Sequence, residues 1–331
     1  MLELTSENLP AYLAELGIAD VGTVVTQLTG GVSGRCFLVS GGARDVVVKQ
    51  ALAQLSVSAV WTAKVERALT EGAAIELVHS LTPRSTPELL SVDSDAFVIA
   101  MSAAPETYIS WKDALLDRVQ SIDESVVTAA LIGSVVGRWH QMTWGDGEVA
   151  ARFADYEAFE QLRIAPFHRT VLAAHPELAK ALGACIDELS TARECFVHGD
   201  LSPKNILVGD GCPWIIDFEV GHFGAAVFDL AFLECHLMLK AIHQPNRARG
   251  HREAARAFIG AYRQTCTSAG EFDLLGWQTA SLLLARVDGK SPAGYLTGTE
   301  RDATRAIAIH ALSEPTASIA TLWDAVEGVL V

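Results

Sequence analysis

Apolar residues in the first hundred positions come in short β-branched runs, "VGTVVTQLT", "RCFLVS" and "DVVVKQ", separated by the Gly-rich breaks "GGVSG" and "GGAR". Runs of that length with turn chemistry between them predict an antiparallel meander. Residues 1–20 read as a short helix ahead of it. Over 57–80 the spacing changes: Trp61, Val65, Ala68, Leu69 and Ile75 recur every three to four residues, which predicts a helix. "PELLSVD" and "AFVIAM" then restore strand character. Beyond "SAAPETYISW", residues 112–196 are rich in Ala and Leu and read as mostly helix. "VVTAALIGSVVGRWHQM" is apolar on most faces, as a buried helix should be. A short β segment at 206–217 interrupts, and the helical pattern returns from about 228 to the end. The expected layout is a β-rich lobe over 1–103, a connector near 100–110, and a helical lobe over 104–331 that carries one hairpin.

The hairpin gives the loop before it a meaning. "ILVGDGCPWIIDF" is two apolar runs about Asp210-Gly211, a strong short hairpin signal. Its open end brings Asn205 and Asp217 together, with Asp200 in the loop "HGDLSPKN" just before. One amide oxygen and one carboxylate, completed by water and phosphate oxygens, is a usual way to hold Mg²⁺. A second carboxylate free of the metal, Asp200, can take a proton from an attacking hydroxyl. The order His198, Asp200, Asn205, then Asp217-Phe218-Glu219, matches the kinase catalytic loop and its metal-binding Asp. Taken singly, each could be a polar turn.

Kinase chemistry also needs a cover over the phosphates and a lysine. Gly30, Gly31, Ser33 and Gly34 lie between the first two expected strands, where a cover loop belongs. Lys49 ends the third strand, and a Glu on the following helix should hold it; Glu66 and Glu71 are five apart, so they point in different directions, and Glu71 is favoured. Met101 to Ala103 end a strand at the connector and would offer backbone groups to an adenine edge.

Composition narrows the partners. The 331 residues are 50 % hydrophobic and 20 % charged, enough for one large domain or two lobes with separate cores. A net charge of −15 repels phosphate backbones and anionic lipid, which argues against nucleic acid and membranes. No apolar run reaches the roughly 18 residues of a bilayer span, and "MLELTSENLP" has no basic n-region, so a cytoplasmic location is expected. The six cysteines are scattered with no CxxC pair, which favours reduced thiols over zinc or disulfides.

Together "GGVSG", Lys49, Glu71, "VHGDLSPKNIL", "IIDFE" and "FDLAF", with "WKDALL" at 111–116, resemble the aminoglycoside phosphotransferase and choline kinase superfamily, small-molecule relatives of protein kinases. The resemblance implies an α+β, protein-kinase-like two-lobed fold with ATP and Mg²⁺ in the cleft. It also implies transfer of the γ-phosphoryl group to a hydroxyl of a sugar, amino sugar, aminoglycoside or amino alcohol. Nucleotide binding without turnover and AMP transfer to a protein are the alternatives. Asp200 would be the catalytic base, and Asn205 and Asp217 the metal ligands. The relatives' counterpart of Asp229 braces the catalytic loop; a helix N-cap is an equally natural role. Only eleven residues separate Asp217 from Asp229, with no A-P-E sequence and no room for a peptide-docking activation loop. Gly34 stands where relatives often carry Asn. Lys204 is expected to point to solvent. Glu219, Glu234, Arg286 and Asp288 are the acceptor-site candidates; for Arg286 and Asp288 a helix-end ion pair is the competing reading. Trp111, Trp139 and His140 read as structural.

Overall fold

The computed structural model describes residues 3–18, 23–28, 34–52, 64–117 and 119–329. The chain divides into two compact units, Met1–Tyr108 with Trp214–Val220, and Ile109–Pro213 with Gly221–Val331. The stretch 214–220, expected in the helical lobe, therefore belongs with the β-rich one. Its Ile215 N–H donates to the Ser85 carbonyl at 2.8 Å.

The first unit holds α1 (Leu9–Glu15), β1 (Val24–Leu28), β2 (Gly34–Ser40), β3 (Val46–Ala51), α2 (Arg67–Leu81), β4 (Leu89–Asp93) and β5 (Val98–Ser102). The five strands form one antiparallel sheet in the order β1-β2-β3-β5-β4, so β5 inserts between β3 and β4. Side chains alternate across it. Phe37, Val39, Val46, Val48, Val98 and Ala100 share one buried cluster with Leu4, Leu9 and Leu13 from the α1 region. Lys49 falls between the inward-facing positions, paired in register with Cys36 and Ile99. The helix expected over 57–80 begins only at Arg67, and residues 57–63 lie outside the described residues. Along α2 the buried positions Ala74, Ile75 and Val78 run back into Glu71 and Arg67, an i, i+4 pair at the polar end of the same stripe.

The second unit is mostly helical. Its 22-residue helix Ile122–Thr143 starts from a capping box between Ser121 and Glu124. It is not buried all round: Val127 and Met142 are 59 % and 55 % exposed. The opposite face lies so close to helix Ala248–Thr265 that a Cβ on Gly133 would sit 2.2 Å from the Phe258 carbonyl oxygen. Helix Val227–His243 is the most enclosed, with buried residues on every side. Strand Cys195–Val197 pairs with His222–Gly224, and Ile206–Val208 with Ile109–Ser110. Strands form at Ile206–Val208 and Trp214–Ile215, the two arms expected around Asp210-Gly211. Trp111, Trp139 and His140 are fully buried. No helix among the described residues is long and apolar enough to cross a membrane.

Candidate active site

In the first unit the site is a network of charge. Lys49 Nζ lies 2.6 Å from Glu71 Oε1 and 2.8 Å from Asp217 Oδ1. Glu66, the other candidate, sits just before the helix begins. Burial alone would lower Lys49, but Asp217, Glu71 and Glu219 overcome it and hold the ammonium well above its ordinary range. Burial pushes Glu71 up, Lys49 opposes that, and the Asp217 charge adds to it. Asp217 takes φ of 73°, a left-handed backbone that costs a non-glycine residue roughly 1–2 kcal/mol. Such strain persists only where its surroundings over-determine it.

Glu219, expected to touch an acceptor, is instead held by Arg67, whose Nε donates to Glu219 Oε2 at 3.0 Å. The same guanidinium donates to the Leu52 and Lys64 carbonyls, and the residue is 2 % exposed. Sequence reasoning missed Arg67, although it stands four positions before Glu71. Gly34 lines a small cavity with Lys49, Arg67, Glu71 and Glu219. A Cβ there would meet the Gln50 carbonyl oxygen at 2.4 Å, which is why no Asn occupies this position. Gly30, Gly31 and Ser33 lie outside the described residues. Met101 is buried in β5, and the Ala103 N–H is spent on the Asp45 carbonyl at 3.1 Å, so that donor is not open to an adenine edge.

In the second unit Asp200 is 4 % exposed. Its Oδ2 collects three donors: Arg163 Nη2 at 2.8 Å, Asn205 Nδ2 at 2.8 Å and Lys204 Nζ at 3.1 Å. Lys204 therefore turns to the carboxylate and not to solvent alone. Among the described residues no donor reaches Asp200 Oδ1. The Asp200 N–H donates to His198 Nδ1 at 3.1 Å, leaving that ring's proton on Nε2. Asp229 holds the loop from below, accepting from the His198 N–H at 2.8 Å and the Gly199 N–H at 2.9 Å. It lies inside the first turn of its helix and caps nothing. Burial would raise its carboxyl, but the His140 hydrogen bond, the neighbouring imidazoles and the Gly199 N–H hold it below its usual range. Gly199 has φ of 76°, so this position of the loop favours glycine where protein kinases place Arg.

Arg163 is the second residue the sequence reading missed. It lies in the widened helical turn Glu160–Arg169, which contains Pro166. The Leu162 carbonyl in this turn accepts from Arg163 itself, whose Nη1 donates at 2.7 Å while its Nε reaches the Gly199 carbonyl at 2.8 Å. The other acceptor candidates separate. Asp288 is gripped by Arg305 Nε and Nη2 and by His175 Nε2 at 2.9 Å, so its charge is committed. Glu234 accepts from Trp323 Nε1 at 2.8 Å. Arg286 donates to Ser291 Oγ at 2.9 Å.

Solved structures of similar fold include choline kinase from Cryptosporidium parvum Iowa II, 12 % identical over 98 % of this chain and 94 % of that one, with a TM-score of 0.56. Amicoumacin kinase hAmiN, solved with AMP-PNP, Ca²⁺ and Ami, is 16 % identical over 90 % and 91 %, with a TM-score of 0.54. Choline kinase LicA from Streptococcus pneumoniae is 16 % identical over 93 % and 98 %, with a TM-score of 0.51. At such identities the likeness establishes the fold alone, which is the protein-kinase-like α+β fold. No curated protein matches the chain. The pattern of the phosphotransferase enzyme family matches residues 24–265, a span that takes in Lys49, Glu71, Asp200, Asn205, Asp217 and Asp229, and the chain belongs to that family.

Proposed function

We propose that the chain transfers the γ-phosphoryl group of ATP, with Mg²⁺, to a hydroxyl of a small molecule, and that Asp200 receives the hydroxyl proton. The observation that carries this reading is the dressing of Asp200. Three donors pin one carboxylate oxygen and leave the other for an incoming hydroxyl. A base held in one orientation needs no reorganisation during the reaction.

The remaining roles follow from each residue's surroundings. Lys49, kept charged by three carboxylates, is suited to phosphate oxygens. Asn205 spends its Nδ2 on the Asp200 carbonyl and carboxylate at 3.0 and 2.8 Å, so its Oδ1 is the end left for a hard cation. Asn205 and Asp217 are assigned as the residues that hold Mg²⁺. Bound Mg-ATP supplies the phosphoryl group and the cation charge that spreads over its oxygens. Arg163 and Lys204 keep Asp200 oriented and bring positive charge to the hydroxyl side.

The test is turnover of Mg-ATP with pooled hydroxyl acceptors, read by ADP release and product mass. A gain of about 80 Da on an acceptor is the phosphoryl outcome, and about 329 Da on a protein would reassign the chain to AMP transfer. Absence of both ADP and a modified acceptor across neutral, cationic and anionic pools would sink the proposal.

A further inference from the structure

Behind Asp200 the second unit stores two cations, Lys240 and Arg286, that no carboxylate among the described residues pairs. The contacts run inward from the loop. Arg163, bound to Asp200, stands with its guanidinium carbon 5.9 Å from the rings of both Phe167 and Phe232. The Phe232 ring is 5.1 Å from that of His236. One turn further, Lys240 Nζ lies 3.4 Å from the His236 carbonyl oxygen and 5.7 Å from the Tyr295 ring centre. Lys240 is 1 % exposed. Arg286 belongs to the same group: Asp200, Tyr295 and Arg163 all act on its charge.

Neither Lys240 nor Arg286 forms an ion pair with a described carboxylate. The Arg286 Nε and the Tyr295 hydroxyl are buried with no hydrogen-bond partner. Burying a cation without a counter-charge is costly, so such a group is normally neutralised or paired. Burial first, then Arg286 and Lys112, push Lys240 down to about 7, with Cys235 and Asp113 opposing. Burial lowers His236 as well, with Lys240, Arg286, Lys204 and Arg163 acting in the same direction. Two acids act on this charge, Asp113 on Lys240 and Asp200 on Arg286, and Asp200 already serves Arg163 and Lys204. Open donors and uncompensated charge in one place describe a receptor for an oxyanion.

We propose that the acceptor is an anionic alcohol, a hydroxyl compound bearing a carboxylate or phosphate that Arg286, Lys240 and Tyr295 bind while its hydroxyl meets Asp200. This inference rests on the phosphotransferase reading and narrows its substrate. Polycationic aminoglycosides and quaternary amino alcohols would meet like charge at the same place.

The test has a binding arm and a turnover arm on the full chain. For binding, hydroxy acids, sugar acids and sugar phosphates are titrated by calorimetry, beside their neutral parent sugars and cationic amino alcohols. Saturable binding of at least one anion is expected. Arg286→Gln and Tyr295→Phe should weaken it tenfold or more and about threefold. Comparing the carboxylate set with the phosphate set identifies which oxyanion is read. Lys240→Met should weaken binding while raising Tm, because it removes an unpaired buried charge; a merely structural lysine would lower Tm instead. For turnover, the anion that binds should be phosphorylated with a kcat/KM at least tenfold above its neutral parent, and Arg286→Gln should act mainly through the acceptor's KM. Anion binding without turnover of any acceptor keeps the anion site and removes the phosphotransferase reading. Turnover confined to neutral or cationic acceptors, unaltered by Tyr295→Phe, keeps the phosphotransferase and overturns the anion site. Absence of anion binding overturns it as well.

Discussion

The two charged networks are built with opposite imbalance. In the first unit, Glu71, Asp217 and Glu219 face Lys49 and Arg67, so carboxylates exceed cations. In the second, Asp200 faces Arg163 and Lys204, with Lys240 and Arg286 behind them and no described carboxylate paired to either. Buried charge is stable only when it is matched, so each network leaves room for what it lacks. The acid-rich one suits a divalent cation beside the lysine proposed for the phosphates. The cation-rich one suits an anionic group on the molecule that receives the phosphoryl. The comparison teaches that the sign of the surplus, and not the number of charged residues, indicates what a site takes up.

The largest expected effect comes from removing the acid that Arg163 and Lys204 hold. Asp200→Ala should lower kcat by roughly 10²–10⁴-fold, the range of a lost general base. Its KM for ATP should change far less, since Lys49 and Asp217 are untouched. Steady-state kinetics checks both, and full turnover in the variant would show that Asp200 only anchors Arg163 and Lys204.

The next effect lies in the acid-rich network. Arg67→Met leaves Glu219, largely enclosed, beside Glu71 and Asp217 with Lys49 as the remaining cation among the described residues. Breaking a buried pair in this way costs about 3–5 kcal/mol, which a denaturation midpoint would register. Arg67→Lys should recover part of the loss, because the charge returns without the fork that reaches Glu219, Leu52 and Lys64 together. If the two variants were equally destabilised, packing and not charge would explain Arg67, and the imbalance in the first unit would need recounting.

How much of this was legible in the sequence depends on whether a local rule carried it. Strand alternation turns Lys49 away from the Val46 and Val48 face, and the motif spacing marked Glu71, Asp200, Asn205 and Asp217. Arg67 carried a signal that was not used, its position four residues before Glu71. Arg163 carried almost none, because Pro166 reads as a helix break and the widened turn around it follows no 3.6-residue period. Lys204 looked like a solvated lysine; only folding of the loop shows that Asp200 is within its reach. Lys240 is a single cation in an apolar helix, and its lack of a carboxylate partner among the described residues is a property of tertiary packing that no periodicity records. Asp288 and Glu234 were plausible acceptor contacts by type and place, and the fold commits them to Arg305 and Trp323.

Glu234 offers the finest test of the comparison, because the surplus in the second unit holds only if this acid is not the missing counter-ion. It shares a helix with Lys240 and is 1 % exposed. Burial pushes its carboxyl up from 4.5 to about 7, the Trp323 hydrogen bond opposes this, and no cation contributes. The side chain is therefore largely protonated in the folded protein at pH 6 and adds little negative charge near Lys240. The sign of the consequence follows from proton binding: between about pH 4.5 and 7 the folded chain holds this proton and the unfolded chain releases it. The stability it contributes is complete below 4.5, falls as pH rises, and is gone once pH passes about 7, a difference of roughly 2–4 kcal/mol at about 1.4 kcal/mol per pH unit. Glu234→Gln, which keeps an oxygen for Trp323, should flatten that segment when unfolding free energies at pH 5 and pH 8 are compared. A wild-type stability that rises over the same interval, with Glu234→Gln abolishing the rise, would mean that the carboxylate is ionised and paired, and the second unit would then already contain its anion.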